Sequence, residues 1–259
     1  MHAIILAAGR GSRLGPLGED RPKCCVELAG MPLVARQLAA LRRGGADVPG
    51  IVRGYRAEML EPEGVALFDN PRWSQTNMVA SLAAAASWLR REPVVVSYGD
   101  IFYPHELVRR LVAAPGDLVI TYDRCWLDLW ARRFEDPLSD AETFRVDAAG
   151  RLLEIGDRAG DVREIHGQYM GLLKFTPAAW HWVEQTLAPL DAATRDKLDM
   201  TGLLRRLLAQ GHAIATVATE GGWGEVDNSD DLALYQRMVQ AGELVLEDTE
   251  PPHLQDPRP

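Results

Sequence analysis

The sequence predicts an α/β fold: a Rossmann-like mixed, mainly parallel sheet flanked by helices. Three observations predict it. The apolar run from His2 to Ala8 is continuous and stops at glycine, as a strand buried on both faces does. Short apolar runs then alternate with amphipathic stretches of helical period. The 259 residues, 47% hydrophobic and 25% charged, suffice for a sizeable buried core, and no apolar run reaches the ~20 residues of a membrane helix.

The elements follow in order. Residues 31–43 keep a helical period through Leu33, Val34, Gln37, Leu38 and Leu41, and Gly44-Gly45 stops them. Gly50–Gly54 reads as a short strand. Residues 76–90 read as an alanine-rich helix capped by Thr76 or Ser74. Residues 93–98 form a buried strand ending at Gly99-Asp100, residues 104–113 a helix, and residues 117–122 a strand. After Tyr122 the rhythm changes, and residues 123–142 read as irregular, aromatic and acidic. Thr143–Asp147 and Arg151–Ile155 flank Ala148-Ala149-Gly150 as a hairpin. A strand at 169–175, helices at 177–187 and 200–210, a strand at 212–219 and a helix at 230–240 complete the pattern. The expected organisation is one domain over residues 1–247, with an acceptor-site elaboration at about 122–175, and a disordered tail at 248–259.

The net charge of −9 gives no general attraction to nucleic acid or anionic membranes. A bound polyanion must be held by local cations and metal. The first residues lack a cationic n-region and read as a strand, not a signal peptide. Cys24, Cys25 and Cys125 are too few for a disulfide framework or zinc site, so free thiols and a cytoplasmic setting are expected. His105, His166, His181 and His212 form no spaced cluster and read as structural or surface residues.

The loop after the first strand carries chemistry. In Leu6-Ala7-Ala8-Gly9-Arg10-Gly11-Ser12-Arg13-Leu14, glycines let backbone N–H groups approach a phosphate, and a following helix start would add partial positive charge. A dinucleotide fingerprint would need glycine where Leu14 stands, and a Walker A loop would need Gly-Lys-Ser/Thr. The loop instead offers Arg13 and, ten residues on, Lys23 in Arg21-Pro22-Lys23. Arginine clamps phosphate oxygens in pairs, whereas lysine acts as a point charge. This stretch resembles the signature of the sugar-phosphate nucleotidyltransferases. The Arg-to-Lys spacing resembles them more than the molybdenum-cofactor nucleotidyltransferases.

Asp100, at the end of a buried strand, stands where open α/β sheets bind ligands and can hold Mg²⁺. Trp223-Gly224-Glu225-Val226-Asp227-Asn228-Ser229-Asp230-Asp231-Leu232 resembles the family's second metal-binding segment. The resemblance implies Asp227 as second ligand and ranks Glu225 behind it. Asp230 and Asp231 read as acids of a helix start. The segment from Asn70 to Leu82 resembles the Asn-x-x-Ser-Leu helix start of cytidylyltransferases acting on phosphocholine and on phosphonates. That implies CTP as donor, with Asn77, Ser81 and Tyr98 joining Leu6, Ala7, Ala8, Gly9, Gly11 and Ser12 around the nucleotide.

The acceptor should meet residues 122–175. Trp126 and Trp130 share a helix face at i, i+4 spacing. With Tyr122 and Asp128 they make either an aromatic, acidic cage for a quaternary ammonium or a face packed on the sheet. Arg132, Arg133, Arg145 and Lys174 instead suit an anionic acceptor, a phosphonate such as phosphonoformate. The resemblance thus implies a Mg²⁺-dependent cytidylyltransferase of the nucleotide-diphospho-sugar transferase type. It would transfer CMP to a small phosphonate or phosphate acceptor with Lys23 and Arg13 as catalytic cations. It needs no nucleic acid or membrane partner and leaves a homodimer open. A sugar-1-phosphate nucleotidyltransferase using UTP, dTTP or GTP is the nearest alternative, and a silent nucleotide-binding module the alternative of another class.

Overall fold

In the computed structural model residues 1–247 are described; the expected tail at 248–259 lies outside them. Seven strands form the central sheet: β1 (His2–Ala7), β2 (Val48–Arg53), β3 (Ala66–Asp69), β4 (Val94–Tyr98), β5 (Leu118–Asp123), β6 (Gln168–Phe175) and β7 (Ile214–Thr219). Their order is β7-β5-β6-β4-β1-β2-β3. β6 alone runs against its neighbours β4 and β5, while the other pairings are parallel. This is the mainly parallel sheet the apolar runs predict. β1 and β4 are buried almost throughout because helices cover both faces. The carboxyl ends of the parallel strands share one edge, with Leu6 opposite both Tyr98 and Val52.

Helix α1 (Leu33–Arg43) places Leu33, Val34, Leu38 and Leu41 in the core at the expected period, and Gly44 ends it. The hairpin forms from Glu142–Val146 and Leu152–Arg158. The irregular reading of residues 123–142 is corrected. Trp126–Arg133 is a helix, with Asp128 in its first turn and Arg132 and Arg133 in its last, each charge complementing the helix dipole. The helix read over residues 76–90 is also corrected. It splits at Ala85 into Met78–Ala84 and Ala86–Leu89. Asn77 caps it, because Thr76 is already engaged by Asn70 Nδ2 and the Arg72 carbonyl. The four-residue edge strand β3 was too short, and its residues too unlike a buried run, to register in the sequence.

The main core spans both faces of the sheet. A second cluster joins Leu14, Val26, Leu28 and Leu33 to Phe102, Val226, Leu232 and Tyr235. It packs the glycine loop and the segment after Lys23 against the chain that carries Asp227. Among the described residues no helix is long and apolar enough to cross a membrane.

Candidate active site

Two turns bring the acids together. β4 ends at Tyr98, and Gly99 follows so closely on β1 that a Cβ there would lie 2.7 Å from the Leu6 carbonyl oxygen. Gln37, buried in α1, donates its amide to the Tyr98 carbonyl at 2.8 Å and to the Ile101 carbonyl, fixing the turn around Asp100. Ile101–Phe102 pairs with Gly224–Glu225, and the Val226 N–H donates to the Asp100 carbonyl at 2.9 Å. Asp100, Glu225 and Asp227 thereby converge, with one carboxylate oxygen of each within 4.8 Å of the others.

Lys23 lies between two of them. Its Nζ donates to Asp100 Oδ2 at 2.7 Å and to Asp227 Oδ1 at 2.5 Å. Burial works against its charge, but the two carboxylates outweigh burial and raise the pKa of the ammonium. Burial likewise opposes ionisation of Asp227, and Lys23, Arg13 and Arg133 overcome it and hold that carboxyl below its ordinary value. Glu225 goes the other way. Burial, then repulsion by Asp100 and Asp227, pushes its carboxyl up to about 8. Arg13, largely exposed, reaches in to Asp227 Oδ1 at 3.0 Å. Gly11 permits this packing. Its φ is 69°, and a Cβ would fall 2.8 Å from Lys23 Cβ.

Three converging carboxylates suit a hard divalent cation, which takes oxygen ligands. Asp100 Oδ1 supports that fit, since it is buried without a hydrogen-bond partner. Sequence reasoning ranked Glu225 behind Asp227, yet both meet Asp100. The signal was present, since residues two apart in extended chain face the same way.

Cavities open on both sides of these acids. One is lined by Leu6, Ala7, Ala8, Gly9, Lys23, Asn77, Ser81, Tyr98 and Asp100, together with Cys24, Trp73, Thr76 and Met78, which the sequence reading did not assign. Asn77 and Ser81 are held in place: Asn77 Nδ2 donates to the Lys197 carbonyl at 3.1 Å, and Ser81 Oγ accepts from Asn70 at 3.0 Å. Gly11 and Ser12 belong to the adjoining loop and do not line the cavity. Contrary to the helix start expected from the sequence, no α-helix opens at that loop. Ser12–Gly18 forms 3₁₀ turns with a kink at Gly15. The second cavity is lined by Arg13, Tyr98, Trp130, Gln168, Tyr169, Gly171, Glu225 and Asp227, with Asp140 and Glu142 at its wall. Tyr98 belongs to both.

Most of the residues expected from sequence to meet an acceptor line neither cavity, for identifiable reasons. Lys174 is at the far end of β6, opposite Val95 and Val119, because β6 is antiparallel and its carboxyl end points away from the site. There its ammonium donates to the carbonyls of Val112 and Ala114 at the end of the helix His105–Ala113. Tyr122 is buried and stacks on Phe144 at 4.8 Å. Trp126 is buried against Trp130, so the pair packs on the core and forms no cage, although Trp130 also borders the second cavity. Arg132 pairs with Glu243 on the surface, and Arg145 with Glu154 at 3.5 Å in the hairpin. Arg133 is buried behind the acids, where it grips Asp231 through two bonds of 2.9 and 3.0 Å. It lies 3.7 Å from Glu225 and 3.9 Å from Asp227. Asp231 is more than a helix-start acid, because its Oδ2 accepts the Asp227 N–H at 2.9 Å, while Asn228 caps the helix Ser229–Gln240. The histidines keep structural partners, His105 with Glu247 at 2.6 Å and His212 stacked on Trp182.

A glycine loop, two cations and three acids between two cavities define a nucleotidyltransferase. The chain belongs to the MobA-like NTP transferase family, whose domain matches residues 3–163. It is similar to the CTP:phosphoglutamine cytidylyltransferase of Campylobacter jejuni, 33% identical over 251 residues covering 90% of this chain and 98% of that one. It is similar to the CMP-5'-(3-aminopropyl)phosphonate synthase of Streptomyces rubellomurinus, 30% identical over 91% of this chain and 36% of that one. It is also 43% identical to a UTP–glucose-1-phosphate uridylyltransferase of Haloferax volcanii, over 94% of this chain and 100% of that one. Among solved structures, the inositol-1-phosphate CTP transferase from T. maritima shares the fold with a TM-score of 0.72. It has 21% identity and coverage of 93% of this chain and 96% of that one.

Proposed function

We propose that the protein transfers CMP from CTP to a small acceptor bearing a phosphate or phosphonate oxyanion, with release of pyrophosphate. The observation that carries this reading is the position of Lys23 and the acids Asp100, Glu225 and Asp227 between two cavities. One cavity has the glycine-loop backbone as its wall and takes the nucleotide. The other, reached past Asp227, takes the acceptor.

Mg²⁺ fits the acids and would be held by Asp100 and Asp227 with Glu225 beside them. Bound there, it would supply charge neutralisation for the phosphates and help position the two reactants. The rest falls to side chains. Arg13 turns from Asp227 to the β- and γ-phosphates, and Lys23 turns from the carboxylates to the charge that grows at the α-phosphate. The acceptor oxygen attacks phosphorus in line as pyrophosphate leaves. That oxygen is already ionised near neutral pH, so no side chain need remove a proton. Positioning and charge neutralisation supply the acceleration, and no protein nucleophile is needed.

Transfer of UMP to a sugar-1-phosphate is the second reading, favoured by the Haloferax relative. Pyrophosphate release with Mg²⁺, comparing CTP, UTP, dTTP, ATP and GTP over phosphonates, phosphocholine and sugar-1-phosphates, decides between them. Turnover with CTP and a phosphonate or phosphate monoester is expected. Turnover confined to UTP and a sugar-1-phosphate overturns the first reading.

A further inference from the structure

The turn that delivers Lys23 also carries two thiols that the transfer reaction does not use. Lys23–Cys25 is one 3₁₀ turn, in which the Cys25 N–H donates to the Pro22 carbonyl at 2.9 Å and the Val26 N–H to the Lys23 carbonyl at 3.1 Å. Cys24 is buried and lines the cavity bounded by the glycine loop, whereas Cys25 is half-buried. The two side chains meet in a hydrogen bond that Cys24 donates. That bond lowers the pKa of Cys25; burial opposes it, and the Arg21 guanidinium lowers it further. Cys24 goes well above its ordinary value, because its proton is held by Cys25 and because it is buried. A sulfur inclined to ionise and partly open to solvent thus stands directly in front of a protonated one. Cys125 is exposed but differs in character, since slight burial and then Asp123, Glu220 and Asp128 raise its pKa.

We propose that Cys24 and Cys25 form a site for hydrogen peroxide, which converts them to a reversible disulfide that withdraws Lys23 from the acids. The Cys25 thiolate attacks one peroxide oxygen, the O–O bond breaks, and the other oxygen takes a solvent proton and leaves as water. The Cys24 sulfur then attacks the sulfenic sulfur of Cys25. The S–S bond forms, the S–O bond breaks, and the Cys24 proton leaves with the hydroxyl as a second water. Two electrons pass from the sulfurs to the peroxide. The consequence follows from where the turn is tethered. On its far side Val26 is buried, and its carbonyl accepts the Leu33 N–H at 3.0 Å. On its near side Lys23 has little room, since a Cβ on Gly11 would fall 2.8 Å from Lys23 Cβ. Adjacent Cα atoms lie only about 3.8 Å apart, below the roughly 4.4–6.8 Å of ordinary disulfides, so closing the bond distorts the turn. Lys23 cannot then keep both its 2.7 Å bond to Asp100 and its 2.5 Å bond to Asp227. The same strain leaves the disulfide labile to a thiol reductant. The effect on turnover rests on reading Lys23 as catalytic and this cavity as the nucleotide site; the disulfide itself does not.

The test uses the full chain with Cys125→Ser, which removes the third thiol, treated with hydrogen peroxide and then with dithiothreitol. Iodoacetamide labelling, read on the tryptic peptide that runs from Cys24 to Arg36, counts the free thiols. Peroxide should abolish labelling of both cysteines in a chain that stays single on a non-reducing gel, and dithiothreitol should restore both. In step with the thiols, kcat/KM for CTP should fall by about 10²-fold and return. Cys25→Ser should keep its turnover and lose the response to peroxide. Oxidation of Cys25 with Cys24 still labelled, or a loss of thiols that dithiothreitol does not reverse, overturns the pairing. A disulfide that leaves kcat/KM unchanged overturns the coupling to Lys23. If the reduced protein turns over no donor, the proposed function fails, while the thiol count alone still upholds or removes the site.

Discussion

Arg133→Met tests whether the buried arginine sustains the acids in front of it. Its side chain is 1% exposed and that of its partner Asp231 4%, and two hydrogen bonds of 2.9 and 3.0 Å join them. Removing one partner of so buried a pair strands the other charge, at a cost of about 3–5 kcal/mol. For a chain of this size each kcal/mol moves the melting temperature by roughly 2–4 °C, so the drop should be about 6–20 °C. Calorimetry at pH 7 reads it. The double variant Arg133→Met/Asp231→Leu should recover part of the loss, since no buried charge is then left alone. Turnover at 20 °C, where both variants remain folded, supplies a second readout. Asp231 holds the Asp227 N–H at 2.9 Å, and loss of such an outer support usually costs about 10–100-fold in activity or metal affinity. A single variant melting within about 1 °C of wild type would refute the reasoning, because a stranded carboxylate cannot be that cheap.

Other expectations concern the site itself. Lys23→Met should lower turnover by about 10²–10³-fold with an unchanged circular dichroism spectrum, and near-normal turnover would remove Lys23 from the chemistry. Gly11→Ala should cost about 1–2 kcal/mol from the left-handed backbone alone, plus displacement of Lys23 by the new Cβ. Urea unfolding and the KM for CTP both report it, and an unaltered KM would count against the loop's role. The metal-free protein should lose stability as pH rises. Glu225 titrates near 8 when folded against about 4.3 unfolded, so its preference for the proton stabilises the fold at acid pH and fades through pH 8. Mg²⁺ needs the carboxylate, so its stabilising shift should grow from pH 6 to pH 8, by at most about tenfold in affinity per pH unit. A shift flat across that range would argue against Glu225 as part of the metal site.

What the sequence disclosed followed from local chemistry. β1, the glycine loop, Lys23 and the Gly99-Asp100 turn each lie within one short segment, where apolar runs and glycines speak for themselves. Asp227 was legible through the segment around it. The lining of the second cavity was not, because its composition is a tertiary sum. Lys174 could be placed only by knowing that β6 runs antiparallel, which an apolar strand does not declare. Arg132, Arg133 and Arg145 looked available until Glu243, Asp231 and Glu154 were brought to them by the fold. Asp140 and Glu142 drew no notice because acids near a turn read as solvated. Their cavity is defined by Tyr169 and Gly171 of β6, where the register with β5 shifts. There Gly171 has a φ of 77°, and a Cβ would strike the Tyr98 ring at 2.5 Å. One strand's direction and one irregularity in its pairing therefore decide which charged residues line that cavity. Neither is encoded in the identity of the charged residues themselves.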